Sequence, residues 1–486
     1  MQSIAEVLDE ALDRDAEAPA VQAASGIWSY ADLDEQAHRA AGALWALGVR
    51  PGDRVAACLP NDLDIVAAFH GAQRIGAIWA GVGEALVAAE QAELVELITP
   101  TVVLAGPRCH VDGVPLDRWR ALLSDASSAP TLRTSPEAPA GIAFTSGTSG
   151  RPKAVVHSQN NVLTPGAVLV KTRGYGPDLR KGDSFPFTIL NLMVLSTLLT
   201  AQAGGCAIVM DRRDVDGVTE WIDATRVTVW NGAPAQVHDL ARRPDAPIGS
   251  LREVWSGGSD TPDALRSAFA NAHGGLVPRA TYGLTEAPTV VSIDPPGGQW
   301  RPGTSGQVLP HYDVAAYDDD GHRLPPGERG ELRLAGTPGG PWTPLLGYWE
   351  SGGIRAPEPG PVPTGDIGSV DEDRWLTVVD RKKLVIVRGG ANVYPLEVER
   401  VIATHPGVVR VAVCGVPDER LGQRVVALVE GQVDLSGLTA LCRGALAGYK
   451  VPEQWIEVDA LPVNPMGKVQ RTALPELVRR GSGHRC

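Results

Sequence analysis

Lysine is scarce in this chain of 486 residues: only seven of its 44 Lys and Arg are lysine. Arginine therefore supplies the general surface charge, and a lysine marks a place where a compact ammonium is wanted in place of a planar guanidinium. Lys153, Lys382, Lys383, Lys450 and Lys468 all lie in segments punctuated by glycine or proline, whereas Lys171 and Lys181 look incidental. Cysteine is sparse as well. The six (Cys58, Cys109, Cys206, Cys414, Cys442 and Cys486) include no CxxC pair, which argues against a disulfide framework or a zinc knuckle and fits a reducing cytoplasm. There is no basic excess: 44 Lys and Arg face 57 Asp and Glu, a formal charge of −13. That balance gives no general footprint for nucleic acid or an anionic membrane.

An unbroken apolar run is missing too. Thr188 to Met210 is uncharged, but Asn191, Ser196, Thr197, Thr200, Gln202, Gly204 and Gly205 interrupt it. The pattern predicts a buried helix, a Gly-Gly turn and then the strand CAIVM, and no membrane span. The leading MQSIAEVLDEALDRD has no basic stretch followed by an apolar one, so no export signal and a cytoplasmic location are expected.

Hydrophobic residues make up 43% of the chain, ample for a core, and its length exceeds the ~150 residues of one ordinary domain about threefold. Helical and strand patterns alternate from the start: YADLDEQAHRAAGALWALGV, PGDRVAACL, LDIVAAFHGAQRIGAIW, and later TRVTVWNGAPAQVHDLARR and LREVWSGGSDTPDALRSAFANAHG. Such alternation predicts layered α/β subdomains with parallel strands, whose ends are where such sheets place ligands. From about residue 292 to 380 the texture becomes short strands broken by Gly and Pro, a small antiparallel β unit. After Lys383 alternation returns, in LVIVRGG, PLEVERVIATHPG and VVRVAVCGV. Residues 384–486 carry 12 Lys and Arg against 10 Asp and Glu, so the acidic excess lies wholly in the preceding part. That asymmetry suits a separate C-terminal domain closing over an anionic ligand.

The strongest local signal is FTSGTSGRPKAVVHS, Phe144 to Ser158. Gly147 and Gly150 give backbone freedom, Thr145, Ser146, Thr148 and Ser149 offer hydroxyls, and Lys153 adds positive charge, so the turn can wrap a polyphosphate. It is not a Walker A loop: Pro152 precedes the lysine, and a strand, AVV, follows in place of a helix.

This run resembles the phosphate loop of the adenylate-forming superfamily of acyl-CoA synthetases, peptide-synthetase adenylation domains and beetle luciferases. Further segments match that superfamily in order: YGLTE at 282–286, TGD at 364–366, DRKK at 380–383, GGANVYPLEVE at 389–399 and NPMGKVQR at 464–471. The resemblance covers nearly the whole chain. It implies a large N-terminal domain, residues 1–382, with the β-rich unit inside it, a hinge at Lys383, and a small mobile α+β C-terminal domain, 383–486.

Site roles follow from the resemblance beside the chemistry of each group. Glu286 can ligate Mg²⁺ on the ATP phosphates, and Tyr282 offers its ring to adenine. Gly283 and Thr285 flank them in the same turn. Gly257, Gly258 and Ser259 of SGGSD let a backbone lie along a flat base. Asp366 can accept the ribose hydroxyls, with Arg381 assisting. Lys468 stabilises charge at the α-phosphate when a carboxylate attacks and pyrophosphate leaves. Lys468, Glu286 and Thr148 are the catalytic candidates. Gly389 and Gly390 leave room for the pantetheine arm of coenzyme A; Lys450 either meets a CoA phosphate or is a helix-end cation. The acyl pocket falls on Phe187, Asn191, Gly257 and Gly283, where apolar neighbours suggest an aliphatic or aromatic acid. Leu384 departs from the acidic residue often found after the hinge.

The expected activity is a two-step ligation: ATP and a carboxylic acid give acyl-AMP and pyrophosphate, then CoA gives acyl-CoA and AMP. A carrier protein or another nucleophile is the alternative acceptor. A non-catalytic adenylate binder is disfavoured because Lys468, Glu286 and Asp366 are all present. A monomer or homodimer is expected.

Overall fold

The computed structural model describes residues 3–126, 129–146, 152–258, 261–297, 299–340, 342–463, 468–481 and 484–485. Four sheets organise it. The first is eight-stranded, with the parallel strands Arg54–Cys58, Ile78–Gly81 and Val102–Ala105 near its centre. These read as continuous small apolar runs because helices cover both faces of a parallel sheet. The helix Tyr30–Ala46 begins at a capping box, in which Ser29 and Asp32 satisfy each other's backbone amides, and packs against Leu63–Arg74. The Phe144 to Ser158 motif forms a hairpin in this sheet, Pro139–Ser146 with Pro152–Ser158, in the register Thr145↔Lys153 and Ser146↔Pro152.

The second sheet has nine strands, six of them successive parallel neighbours: Arg279–Leu284, Glu253–Ser256, Val229–Gly232, Arg180–Asp183, Cys206–Val209 and Pro19–Ala23. The uncharged run before it folds much as its pattern predicts. It gives a short helix Leu190–Leu192, a π-helical turn Met193–Leu198 and a helix Leu199–Ala203, a left-handed turn at Gly204, then the strand Cys206–Val209. Among the described residues no helix is long and apolar enough to cross a membrane.

The antiparallel β unit is smaller than its composition suggests. Its sheet holds Tyr312–Tyr317, Gly330–Gly336, Val362–Val370 and Leu376–Arg381. Ala287–Ile293 and Gln307–Val308 instead complete the nine-stranded sheet, and Gly347–Glu350 with Gly353–Arg355 extend the eight-stranded one by pairing Gly347↔Val156 and Tyr348↔Val155. Residues from Ile386 onward build a fourth sheet with a core of their own, in which Ile386, Val398, Ile402, Val413, Leu438 and Trp455 pack together.

The structure corrects one reading outright: Lys181 is not incidental. It is fully buried and ion-paired with Asp183, also fully buried, across 2.9 Å.

Candidate active site

Gly147, Thr148, Ser149 and Gly150 lie outside the described residues, as do Ser259 and the side chain of Ser146. Thr145 and Lys153 face each other at the last described rungs of the hairpin. The Lys153 ammonium lies 5.3 Å from the centre of the Tyr348 ring, and the Arg355 guanidinium lies 5.3 Å from the same ring. Tyr348 comes from the strand that joined the sheet from the far side of the sequence. No motif marked it, and its placement depends on long-range pairing.

Glu286 sits across from this hairpin. Burial pushes its carboxyl above the usual range, opposed by hydrogen bonding to backbone and then by the charges of Lys153 and Arg381. The turn carrying it is fixed from below. His157, fully buried on the phosphate hairpin, donates from Nε2 to the Thr285 carbonyl across 2.8 Å. Burial lowers this imidazole to about 4, which keeps it neutral at ordinary pH. Gly283 has to be glycine, since a Cβ there would stand 2.2 Å from the Thr289 carbonyl oxygen.

Asp366 joins three of the predicted residues. Its Oδ2 accepts from the Tyr282 hydroxyl at 2.6 Å and its Oδ1 pairs with Arg381 Nε at 3.0 Å. The Thr364 hydroxyl fixes this stretch of the strand Val362–Val370 by accepting from the Asp366 amide at 3.1 Å and donating to the Leu332 carbonyl at 2.8 Å. Burial and then Asp366 hold the Tyr282 hydroxyl well above the usual phenol range, so it remains a donor. Lys468 enters the same field. The residue keeps much of its surface exposed, yet protein crowds its ammonium: burial first, then Arg381, lower its pKa, while Asp366 pulls it back up.

Gly257 follows the strand Glu253–Ser256 and closes against the neighbouring strand, where a Cβ would stand 2.0 Å from Thr281 Oγ1. Gly258 takes a left-handed conformation, φ +82°. On the acid side, Phe187 is fully buried and its amide donates to Asn61 Oδ1 at 2.8 Å, while Asn61 Nδ2 bonds the Phe185 and Met210 carbonyls. Asn191 is half-buried and has no hydrogen-bond partner among the described residues. The turn that follows it brings Leu195 and Leu199 against Trp255 and Val290, with Tyr282 packed alongside.

The CoA candidates lie elsewhere. Gly389 and Gly390, both at positive φ (+56° and +83°), are the two central residues of the hairpin Ile386–Arg388 to Ala391–Val393. Lys450 donates to both Glu397 oxygens, at 2.6 and 2.7 Å, at the start of the helix Pro395–Ile402. Its charge is thus engaged within the C-terminal unit. Lys383 falls in a single 3₁₀ turn, Lys382–Leu384, between the two units. Asp380, just before it, accepts from the Leu396 amide at 2.5 Å, and Arg400 donates to the Val378 carbonyl at 3.2 Å.

The chain is also similar to known proteins over nearly its whole length. AMP-binding enzymes match residues 8–349, and the AMP-binding enzyme C-terminal domain matches residues 397–468. The chain belongs to the AMP-binding enzyme family. It is 31% identical to the long-chain-fatty-acid–CoA ligase FadD13 of Mycobacterium tuberculosis, over 92% of each chain. It is 32% identical to the feruloyl-CoA synthase of an Amycolatopsis species, over 93% of this chain and 94% of that one. Among solved structures, the ATP-bound MatB of Rhodopseudomonas palustris superposes with a TM-score of 0.88 at 28% identity, covering 99% of both chains. The α/β fold and the enzyme class implied by the motifs therefore stand: this AMP-binding enzyme is an AMP-forming acid–thiol ligase that works through an acyl adenylate.

Proposed function

We propose that this ligase activates an aliphatic or aromatic carboxylic acid with Mg·ATP at the cluster of Lys153, Tyr282, Glu286, Asp366, Arg381 and Lys468, and passes the acyl group to coenzyme A. The observation that carries the assignment of roles is the placement of the Lys468 ammonium in the shared field of Asp366 and Arg381. That placement brings a cation of the C-terminal unit to the carboxylate read as the ribose acceptor, where it can meet the α-phosphate of the same nucleotide.

Asp366 presents acceptor oxygens to the ribose hydroxyls, held in place by Tyr282 and Arg381. The hairpin from Thr145 to Lys153 takes the phosphate tail. One carboxylate oxygen of the acid forms a bond to the α-phosphorus while the bond to the bridging oxygen breaks, and pyrophosphate leaves with that electron pair. Lys468 stabilises the charge that builds on the α-phosphate oxygens. Glu286 suits a magnesium ion, since it offers a hard oxygen and its burial leaves the carboxylate short of solvation that a cation restores. When bound, Mg²⁺ neutralises triphosphate charge.

In the second step the C-terminal unit turns about Lys383, which breaks the bonds from Asp380 to Leu396 and from Arg400 to Val378. The Gly389–Gly390 turn then faces the acyl adenylate. The thiolate of CoA attacks the acyl carbon and AMP leaves. FadD13 and the feruloyl-CoA synthase differ in the acid they are named for at nearly equal identity, so the likeness selects an acid class no narrower than aliphatic or aromatic. The test is a panel of such acids scored for pyrophosphate release, followed by AMP release on adding CoA. Pyrophosphate release indifferent to every acid would overturn the reading; AMP release indifferent to CoA would shift the acceptor to a carrier protein or another nucleophile.

A further inference from the structure

The buried ion pair found at Lys181 and Asp183 has no part in nucleotide chemistry, and its position is informative. Both residues lie on Arg180–Asp183, flanked by Cys206–Val209 and Val229–Gly232. Two apart on one strand, they point to the same face, while Gly182 between them faces Met210 and Val227 on the other. The face they share is covered by the π-helical turn Met193–Leu198. Ser196 of that turn donates to the same Asp183 Oδ2 that pairs with Lys181. The Lys181 ammonium also stands 4.9 Å from the centre of the Trp255 ring, within cation–π range. Trp255 is itself fixed, its indole N–H donating to Glu253 at 2.9 Å. Two residues further along the chain come Gly257 and Gly258.

The pair therefore ties together two walls of the region read as the acid pocket. One wall is the turn that follows Asn191; the other is the strand end that leads into the glycines. A fully buried ion pair is a poor device for stability, because well-packed apolar residues commonly serve as well or better. Asp183 also keeps one oxygen, Oδ1, with no partner among the described residues. A π-helical turn, whose carbonyls are offset from the regular helical ladder, needs an outside contact to choose its register, and such turns recur at functional sites.

We propose that Lys181 and Asp183 are positioning residues for acid selectivity, holding the Met193–Leu198 turn at a fixed distance from the Trp255–Gly258 wall. This rests on the reading of Phe187, Asn191, Gly257 and Gly283 as the acid pocket.

Two variants test it. Ser196→Ala cuts the tie to the turn and leaves the ion pair whole. The double variant Lys181→Met with Asp183→Leu removes the pair without stranding a buried charge. Amide hydrogen exchange at Met193–Leu198 and at Trp255–Gly258 is read in the full chain, together with the ratio of kcat/KM between a straight-chain and an aromatic acid. The ratio cancels any loss of folded enzyme. The double variant should speed exchange at both segments by roughly tenfold, with Arg54–Cys58 unchanged, and shift the acid ratio by a similar factor while KM for ATP holds. Ser196→Ala should loosen the turn alone. Unchanged exchange at both segments, or faster exchange throughout the chain, overturns the proposal even if no acid proves to be a substrate. Should the wild type release no pyrophosphate with any acid, the broader reading fails and the exchange result still decides this one.

Discussion

Arg471 and Glu399 form an ion pair of 2.8 Å that joins two segments 72 residues apart, the NPMGKVQR loop and the helix Pro395–Ile402. Both also grip the backbone of the strand between them: Arg471 Nη1 donates to the Val413 carbonyl at 3.0 Å, and Glu399 Oε1 accepts from the Val413 amide at 2.7 Å. Lys468 stands three residues from Arg471. Its placement beside Asp366 thus depends on a bond inside the C-terminal unit. Glu399→Gln keeps the shape and the Val413 contact but removes the charge that satisfies Arg471. The expected cost is about 2 kcal/mol of stability, with adenylate formation lost more than ATP binding. Thermal unfolding and isotope exchange between pyrophosphate and ATP measure the two; a variant that unfolds early yet exchanges normally would show that the pair does not position Lys468.

Lys468→Ala should slow adenylate formation by ~10²-fold or more, leaving thioester formation from supplied acyl adenylate largely intact. The pH dependence has a definite sign. Lysine acts here in its charged form, and burial with Arg381 lowers its pKa, so the charge is lost at a lower pH than for a free lysine. The kcat/KM of the first step should fall with rising pH before the usual lysine value of about 10.4 is reached. Lys468→Arg should move that limb upward, whatever it does to the maximum rate. A limb unmoved by Lys468→Arg would assign the titration to another group.

Tyr282 and Asp366 offer a graded pair. Tyr282→Phe removes one donor from Asp366 and should raise KM for ATP about two- to tenfold. Asp366→Asn weakens the Arg381 pair and turns one acceptor oxygen into a donor, so it should cost more. Because the two residues share a hydrogen bond, the double variant should cost less than the product of the singles. Strict multiplication of the effects would mean that Tyr282 acts on the nucleotide directly and not through Asp366.

What the sequence made legible was whatever is local. The Phe144 to Ser158 hairpin, the YGLTE turn and the strand-turn-helix alternation are short-range, and each is spelled by residues whose backbone or hydroxyl requirements are visible in one window, whereas TGD, which reads as a turn, lies within the strand Val362–Val370. The misses are all long-range. The strand Gly347–Glu350 reads as part of the antiparallel unit, because nothing in its composition announces pairing with Pro152–Ser158 nearly two hundred residues earlier. Tyr348 was invisible for the same reason. Lys181 looked incidental because a buried lysine is recognised only by its partners, one of which, Trp255, lies 74 residues away. Lys450 carried two readings, and its bond to Glu397, 53 residues earlier, is likewise invisible in one window.

Asp380 bridges the two units in this arrangement. Its carboxylate, raised by burial, accepts from the amides of Arg381 at 2.6 Å and Leu396 at 2.5 Å, one on each side of Lys383. Asp380→Ala should weaken the arrangement that brings Lys468 to Asp366, slowing the first step several-fold while sparing the second. Separate assays of the half-reactions check this; equal slowing of both would make Asp380 a folding residue only.

Gly390 separates two explanations of its own presence. Its φ of +83° is one that other residues rarely adopt, and a Cβ there would meet no atom within 4 Å. Backbone strain alone therefore predicts that Gly390→Ala and Gly390→Leu cost the same, about 1–2 kcal/mol of stability in the C-terminal unit. If the turn also leaves room for the arm of coenzyme A, size matters only when CoA is present. Gly390→Leu should then depress thioester formation about tenfold below Gly390→Ala, since a bulky side chain must displace the arm or itself, with adenylate formation equal in both. Equal rates in the second step would leave the glycine explained by its turn, and the path of CoA would have to be sought elsewhere.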